Sequence, residues 1–443
     1  MQAVLKTSGV VGAGGAGFPT YAKLTQKAEY IILNAAECEP LLRVDQQLLE
    51  LFPTEIITGL NAARECVEAK YAFIGVKAKH AKVIDKLKET IGNLNLNHAV
   101  EIKPMADVYP AGDEQVMVYE LTGRVVPESN IPLAVGCVVI NAETALNLYK
   151  AVKDGTPVTE TYITLAGDIE NRITLKVPVG TPVTDVLKLS GLDDFSGYSV
   201  IDGGPMMGAV LQDLNGYVSK KSKGFIILKN SSRLIGKKNT TFEQAKKINR
   251  ASCEQCRMCT DLCPRYLLGH NLQPHKIIRI ATYNIDDTEG QKTAHLCCLC
   301  GLCELSSCPV GLFPKMANES LKNKMWKENV RYTPSKTEFE ARPIRKYRMM
   351  PSKRLIYRLG LYSFDKEAPM VNTIVSPKLV RIFTSQHVGV PATPVVTVGE
   401  SVYAGQLIGD IAEDALGAAI HASIDGVVTK VCSDYIEIAG EGA

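Results

Sequence analysis

The feature that most constrains this chain is a run of four cysteines, Cys253, Cys256, Cys259 and Cys263, spaced x2, x2, x3 and followed by Pro264. Three thiolates this close can wrap three corners of a cubane 4Fe–4S cluster, and the fourth, before the proline, reaches a second cluster. Thiolate is a soft ligand suited to iron, and four thiolates suit a cubane. A second run, Cys297, Cys300, Cys303 and Cys308 before Pro309, has one residue more than usual ahead of its last cysteine. Crossed ligation predicts one cluster on Cys253, Cys256, Cys259 and Cys308, and another on Cys297, Cys300, Cys303 and Cys263. Between the runs, HKIIRIAT (275–282) reads as a helix packing under the clusters. The competing reading is a pair of zinc ribbons, but such sites show two CxxC pairs and no CxxCxxCxxxCP run. Cys298 fits neither frame and reads as a spare thiol.

Nine of the thirteen cysteines lie between Cys253 and Cys308, and the other four (Cys38, Cys66, Cys137, Cys432) are scattered through a chain of 443 residues. A small secreted protein would instead spread its cysteines over disulfides, so the cluster points to metal binding in a reducing compartment. The longest apolar stretch, Ile131 to Ile140, is half of the ~20 residues that a membrane-spanning helix needs, and MQAVLKTSGVV lacks the features of a secretory signal. A cytoplasmic protein with no membrane span of its own is expected. Lys and Arg number 50 against 47 for Asp and Glu, a balance that argues against a dedicated nucleic-acid binder.

Length predicts two to four domains. Residues 1–158 alternate Gly-rich turns, short β-branched runs and helical stretches and read as α/β. Residues 159–230 read as a small β-rich unit: a strand, a turn and an amphipathic helix, then the tight loop GGPMMG (203–208). Residues 240–328 are helical patches around the cysteine runs. Residues 331–370, punctuated by Pro and Arg, read as a linker whose basic residues form a solvated or packing segment, with a docking patch as the alternative, and 371–443 read as a compact all-β unit.

The segment GVVGAGGAGFPTYAKL (9–24) carries further chemistry. Glycines let backbone approach a phosphate, and the helix expected from Pro19 offers free N–H groups. It is not a Walker A loop, because no GK[ST] follows. Taken alone it is also compatible with a plain surface loop. Three polar loops add to it: IILNAAECEP with Asn34, Glu37 and Glu39, YPAGDEQ with Asp113 and Glu114, and INAETAL with Asn141, Glu143 and Thr144. Each alone is more often a surface turn or helix cap. Together they are the set of strand-end groups that a nucleotide-sized ligand needs.

These motifs (GxGGAGFPTxxK, NxxExEP, YPxGxEQ and Asn-x-Glu-Thr) resemble the flavin-binding subunit of respiratory complex I and, more closely, the C subunit of the Rnf electron-transport complex. In the Rnf subunit a barrel-sandwich domain comes first; here the sandwich-like unit is C-terminal, an order that resembles the soluble cobalamin reductases of propanediol-utilisation-type bacterial microcompartments. The resemblance implies an α/β domain for FMN and NADH (1–158), a soluble-ligand-binding β-grasp domain (159–230), an α-helical two-cluster ferredoxin-like domain (240–328) and a barrel-sandwich hybrid domain (371–443). It implies Gly12, Gly14, Gly15 and Gly17 around the flavin phosphate with Lys23 paired to it. Asn34, Glu37 and Glu39 would lie by the isoalloxazine and nicotinamide, Glu114 and Asn141 would complete the site, and Phe18 would stack on a ring. Complex I has an Arg in the glycine loop where this chain has Ala13. The sandwich hairpin HASIDG has no lysine for lipoyl or biotinyl attachment.

The activity implied is transfer of electrons from NADH through FMN and two 4Fe–4S clusters to a one-electron acceptor, most simply cobalamin, for re-activation of a B12-dependent dehydratase; microcompartment proteins would be partners. A flavin between nicotinamide and clusters converts electron pairs to single electrons. Two rival readings are an electron-input subunit of a ferredoxin:NAD complex and an iron–sulfur carrier scaffold without a working flavin site.

Overall fold

Apolar β-branched runs separated by amphipathic stretches give a parallel sheet, because such strands are buried on both faces by the crossover helices. The computed structural model describes residues 1–440. The first strands are β1 (Tyr30–Ala35), β2 (Tyr71–Lys77), β3 (Val100–Met105), the two-residue β4 (Val108–Tyr109) and β5 (Cys137–Asn141). Four of them form a sheet in the order β3-β2-β1-β5, all parallel. Ile31, Ile32, Leu33 and Ile74 are fully buried in it. The helices Pro53–Cys66 and Ala142–Lys153 pack closely on this layer. Gly59 permits that approach, since a Cβ there would collide with the Ala145 carbonyl oxygen. From β1 the chain moves outward to β2 and β3, then returns with β5 on the other side. The carboxyl ends of β1 and β5 are therefore the switch point where such sheets collect ligands, and Asn34 lies beside Asn141 there.

A second sheet holds β6 (Glu160–Gly167), β7 (Ile173–Pro178), β8 (Tyr198–Asp202), β9 (Ala209–Val210) and β10 (Gly224–Lys229), in the order β7-β6-β10-β8-β9. Only β6 and β10 are parallel. The helix Val183–Leu187 lays Val183, Val186 and Leu187 against Ile163, Leu165, Leu175 and Ile227, the single-helix cover of a β-grasp.

The cysteine-rich part is helical. A capping box between Thr241 and Gln244 opens the helix Phe242–Ser252. The helix expected at HKIIRIAT runs Pro274–Tyr283 and buries Ile277, Ile278, Ile280 and Ala281 in the same core as Cys263 and Cys297. The Pro- and Arg-punctuated stretch that follows is packed over much of its length. It makes a 3-10 turn (Pro343–Tyr347), a strand β11 (Met350–Pro351) antiparallel to β4, and a helix Ser352–Arg358. Leu355 and Leu361 are fully buried, in one core with Tyr109, Met206 and Cys300. Apolar residues set between the basic ones make this packing.

The last unit comprises β12 (Leu379–Phe383), β13 (Thr393–Pro394), β14 (Ser401–Val402), β15 (Leu407–Asp410), β16 (Ile420–His421), β17 (Gly426–Val431) and β18 (Tyr435–Gly440). They form two sheets, β12-β18-β17-β14 and β13-β15-β16, around Val380, Ile382, Ile408, Ile420, Ile436 and Ile438. Among the described residues no helix is long and apolar enough to cross a membrane.

Truncating Leu355 to Ala tests the packing of 343–361. A buried leucine lost from a formed core costs about 2–5 kcal/mol, so Leu355→Ala should lower the midpoint of thermal unfolding by several degrees. A loose tether would leave that midpoint unchanged.

Candidate functional site

The glycine loop precedes the sheet and folds back on it. An isolated bridge pairs Val11 with Pro19, and the Gly12 amide donates to the Phe18 carbonyl at 2.9 Å. Gly14 and Gly17 hold φ of 79° and 72°, a conformation that glycine adopts without strain. Gly14, Gly15 and Ala16 form an exposed tip, and a Cβ on Gly15 would meet nothing within 4 Å. Gly17 instead faces the C-terminal unit, where a Cβ would stand 2.7 Å from the Gln386 carbonyl oxygen. The base of the loop is tied to the switch point by the Ala13 amide, which donates to Thr144 Oγ1 at 3.0 Å. Phe18 is half-buried. The buried Thr20 hydroxyl, just beyond the loop, has no hydrogen-bond partner among the described residues.

The remaining residues expected from sequence are drawn into pairs. Lys23 Nζ bonds Glu114 Oε1 at 2.8 Å and the Val139 carbonyl at 3.1 Å. Asn34 Nδ2 donates to the Gly112 carbonyl at 2.8 Å, fastening the end of β1 to the Tyr109–Gln115 loop. Asn141 Oδ1 accepts the Glu143 amide at 2.9 Å, and its Nδ2 donates to Asp45 Oδ2 at 2.8 Å. Glu37 accepts the Glu39 amide at 2.8 Å; burial first, and then the charge of Asp45, push its pKa up. Glu39 points the other way, into the GGPMMG loop. Its two carboxylate oxygens accept the amides of Met206 and Met207, each at 2.8 Å. A Cβ on Gly204 would collide with the same carboxylate. Lys238 holds the loop's carbonyls from the far side, Gly208 at 2.6 Å and Met206 at 3.4 Å.

Two residues at the centre of this network were not apparent from sequence. Lys223 is buried between Asp45, at 3.4 Å, and Glu143. Burial alone would lower its pKa, but Glu143 and Asp45 outweigh that and raise it. Thr161 donates to the other oxygen of Glu143 at 2.9 Å. The signal for Lys223 was a lysine at the mouth of the apolar run GFIIL; Asp45, on the first turn of a helix, looked like an ordinary helix-start acid. A polar cavity of about 330 Å³ opens beside this network, lined by Glu37, Glu39, Lys77, Lys79 and His80 among others.

The cysteines gather in two groups drawn from both runs. Cys263, Cys297, Cys300 and Cys303 line one narrow enclosed space together with Arg265 and Lys315. The Cys259 thiol is pushed up to about 12 by burial and then by the nearby charges of Cys308, Cys256 and Cys253. Two sets of four thiols fit two cubane clusters in their donor chemistry. Cys298 lines the same space as the first group, together with Cys300 and Arg265. The exposed glycine tip likewise fits the phosphate of a flavin mononucleotide, which backbone N–H groups can hold.

The cysteine-rich part is locked to the α/β sheet. Arg265, two residues after Cys263, grips Asp113 with both guanidinium nitrogens at 2.7 and 2.9 Å. Asp113 also caps the helix Glu114–Thr122 by accepting the amides of Gln115 and Val116. Tyr109 Oη donates to the Cys300 carbonyl at 2.5 Å. Glu128 accepts the Asn271 amide at 2.5 Å and the Tyr332 hydroxyl at 2.7 Å.

Glu39 gives this arrangement a pH signature. Burial, opposed by the Met206 and Met207 amides and reinforced by Glu37, pushes its carboxyl up to about 7 from an ordinary value of 4.5. Between those values the folded chain binds the proton more tightly than the unfolded one, so Glu39's contribution to stability falls as pH rises through that window. Unfolding midpoints measured from pH 4.5 to 7 should fall in the wild type relative to Glu39→Gln; parallel curves would mean that the carboxylate is not buried as described.

Residues 5–150 match the family described as the Nuo51 FMN-binding domain, 252–313 the 4Fe-4S dicluster domain, and 364–441 the RnfC barrel sandwich hybrid domain. A protein of Citrobacter freundii named cobalamin reductase PduS is 39% identical over 98% of this chain and 95% of its own length. Its namesake in Salmonella typhimurium is also 39% identical, over 98% and 95%. The Na(+)-translocating ferredoxin:NAD(+) oxidoreductase complex of Acetobacterium woodii has a C subunit that is 32% identical over 61% of this chain and 59% of its own length. With nearly the whole length matched and both cysteine runs set against an FMN-type sheet, the chain belongs to the PduS cobalamin reductase family.

Proposed function

We propose that this protein takes electrons from NADH and delivers them singly to cobalamin, supporting re-activation of a B12-dependent dehydratase, and that it works beside the proteins of a bacterial microcompartment. The observation that carries the reading is the gathering of eight thiols into two sets on a sheet whose switch point is ringed by the glycine loop, Asn34 and Asn141. When bound, FMN supplies the exchange between the nicotinamide's electron pair and the single electrons that the clusters carry.

In this reading Cys253, Cys256, Cys259 and Cys308 ligate one cluster and Cys263, Cys297, Cys300 and Cys303 the other. Gly12, Gly14, Gly15 and Gly17 shape the loop that receives the flavin phosphate, with Phe18 beside it. Lys23 is the cation available to that phosphate, and Glu114 holds it in place beforehand. Asn34 and Asn141 fix the loops around the ring, while Glu37 and Glu39 set the wall toward the nicotinamide. Glu39 also orders the GGPMMG loop, whose Met206 carbonyl lies 3.1 Å from where a Cβ on Gly301 would be. The β-grasp unit thereby presses on the loop between Cys300 and Cys303. No side chain of the protein acts as nucleophile or general acid.

Anaerobic purification, iron and sulfide analysis and a flavin assay test this. About eight iron, about eight sulfide and one FMN that bleaches on NADH are expected. Crossed ligation makes a sharper claim. Cys263→Ala should remove or convert the cluster of Cys297, Cys300 and Cys303, and Cys308→Ala the other, so their electron paramagnetic resonance spectra should differ. Zinc in place of iron, or two variants with the same surviving signal, would contradict the reading.

A further inference from the structure

The helix Ser352–Arg358 has two unlike faces. Ser352, Leu355 and Ile356 are buried, and Leu359 just beyond them is buried too. Leu355, Ile356 and Leu359 share one apolar core with Cys300, Leu302 and Met350. The helix also abuts the turn Cys303–Ser307, where Ser306 Oγ contacts the sulfur of Met350 at 3.8 Å. Its inner face therefore lies on the loop carrying two of the four thiols of one set. Its outer face carries Lys353, Arg354, Tyr357 and Arg358, all exposed, with Tyr357 at 74%. Lys353 and Tyr357, like Arg354 and Arg358, are four residues apart and so share that face. Tyr362, 71% exposed, follows it.

Charge on this stretch is of one sign. From Arg342 to Phe364 there are seven Lys and Arg and no Asp or Glu. Two of the seven are engaged inward: Arg342 lies over the Tyr266 ring at 4.0 Å, and Arg345 pairs with Glu120 at 2.5 Å. Among the described residues, Lys346, Arg348, Lys353, Arg354 and Arg358 form no ion pair. An unpaired basic surface studded with exposed tyrosines matches the composition of a transient protein interface, where aromatic and Arg side chains are enriched. Only one helix, about 10–12 Å across with its side chains, stands between it and the Cys300–Cys303 loop.

We propose that the outer face of this helix is the docking surface of an acidic one-electron carrier protein of the ferredoxin or flavodoxin class, which exchanges single electrons with the cluster held by Cys263, Cys297, Cys300 and Cys303. The inference rests on that cluster assignment and adds to it a protein partner, distinct from cobalamin, and the place where it binds. The carrier loses or gains one electron, the cluster gains or loses the same one, and no bond is made or broken. Charge complementarity selects an acidic partner and accelerates its encounter, and the short path across one helix explains why it binds on this face.

The test mixes the FMN- and iron-loaded protein anaerobically with pre-reduced plant-type ferredoxin, an acidic probe, and follows reduction of the clusters in stopped flow. Dithionite serves as the small reductant. The wild-type ferredoxin rate should fall about tenfold or more between roughly 0.05 and 0.5 M salt. Combining Lys353→Glu, Arg354→Glu and Arg358→Glu should lower the low-salt rate by about tenfold or more and leave reduction by dithionite and flavin bleaching by NADH unchanged. The corresponding Gln triple variant, which removes charge without reversing it, should fall between. Equal ferredoxin rates in the wild type and both variants would overturn the docking surface. So would a triple variant that keeps its ferredoxin rate and instead loses binding to phosphatidylglycerol vesicles. A Cys263→Ala variant that keeps both cluster signals would instead remove the cluster assignment underneath, an outcome separable from the first two.

Discussion

An ion pair of the buried Arg265 with the partly buried Asp113 holds this molecule in register. Arg265 is 8% exposed and meets the carboxylate in bidentate fashion. Burying two charges is costly, and only good geometry with further hydrogen bonds repays it. Here the same carboxylate caps the helix Glu114–Thr122, so one side chain starts a helix of the sheet domain and anchors the cysteine-rich domain. Removing either partner of such a pair costs about 3–5 kcal/mol, which is why the relative placement of the two domains is strongly determined. Tyr109, from the same loop, adds a direct bond to the backbone of Cys300. In an electron carrier, distance between centres governs function, and a rigid clamp beside the thiols is what sets it.

The other units brace this pair of domains. The C-terminal sandwich backs the glycine loop: the Val388 amide donates to the Gly17 carbonyl at 3.2 Å, and Lys220 Nζ donates to the carbonyls of Gly9 and Ala419 at 2.8 and 2.9 Å. Burial pushes the Lys220 amine down to about 7. The β-grasp unit contributes Lys223 to the switch point and the GGPMMG loop to Glu39. Four units thus meet around one strand end, and each supplies a piece that no single one contains.

What could be read from the sequence follows from locality. The cysteine spacing is short and covalent, so it signals clusters wherever the runs sit, and the order of the four units follows from shifts in periodicity and composition. Partnerships across long separations could not be read. Lys223 meets Asp45 across 178 positions and Arg265 meets Asp113 across 152, and nothing local marks either. The resemblance implies Gly12, Gly14, Gly15 and Gly17 around the flavin phosphate; a Cβ on Gly17 would meet the sandwich, one on Gly14 the Lys223 side chain, and one on Gly15 nothing within 4 Å. The resemblance pairs Lys23 with the flavin phosphate, and nothing local in the sequence shows that the same amine bonds Glu114, 91 positions away. The basic stretch read as a linker because its charges dominate composition, although Leu355 and Leu361 fasten it to the core.

On this account the Arg265–Asp113 clamp fixes the distance over which electrons leave the flavin. The most direct measurement mixes NADH rapidly with the loaded Arg265→Gln variant and follows flavin and cluster absorbance separately. Flavin bleaching at the wild-type rate with slowed cluster bleaching is the result predicted. If both phases keep their wild-type rates in a variant that still folds and holds its iron, the clamp does not set that distance and the claim is contradicted.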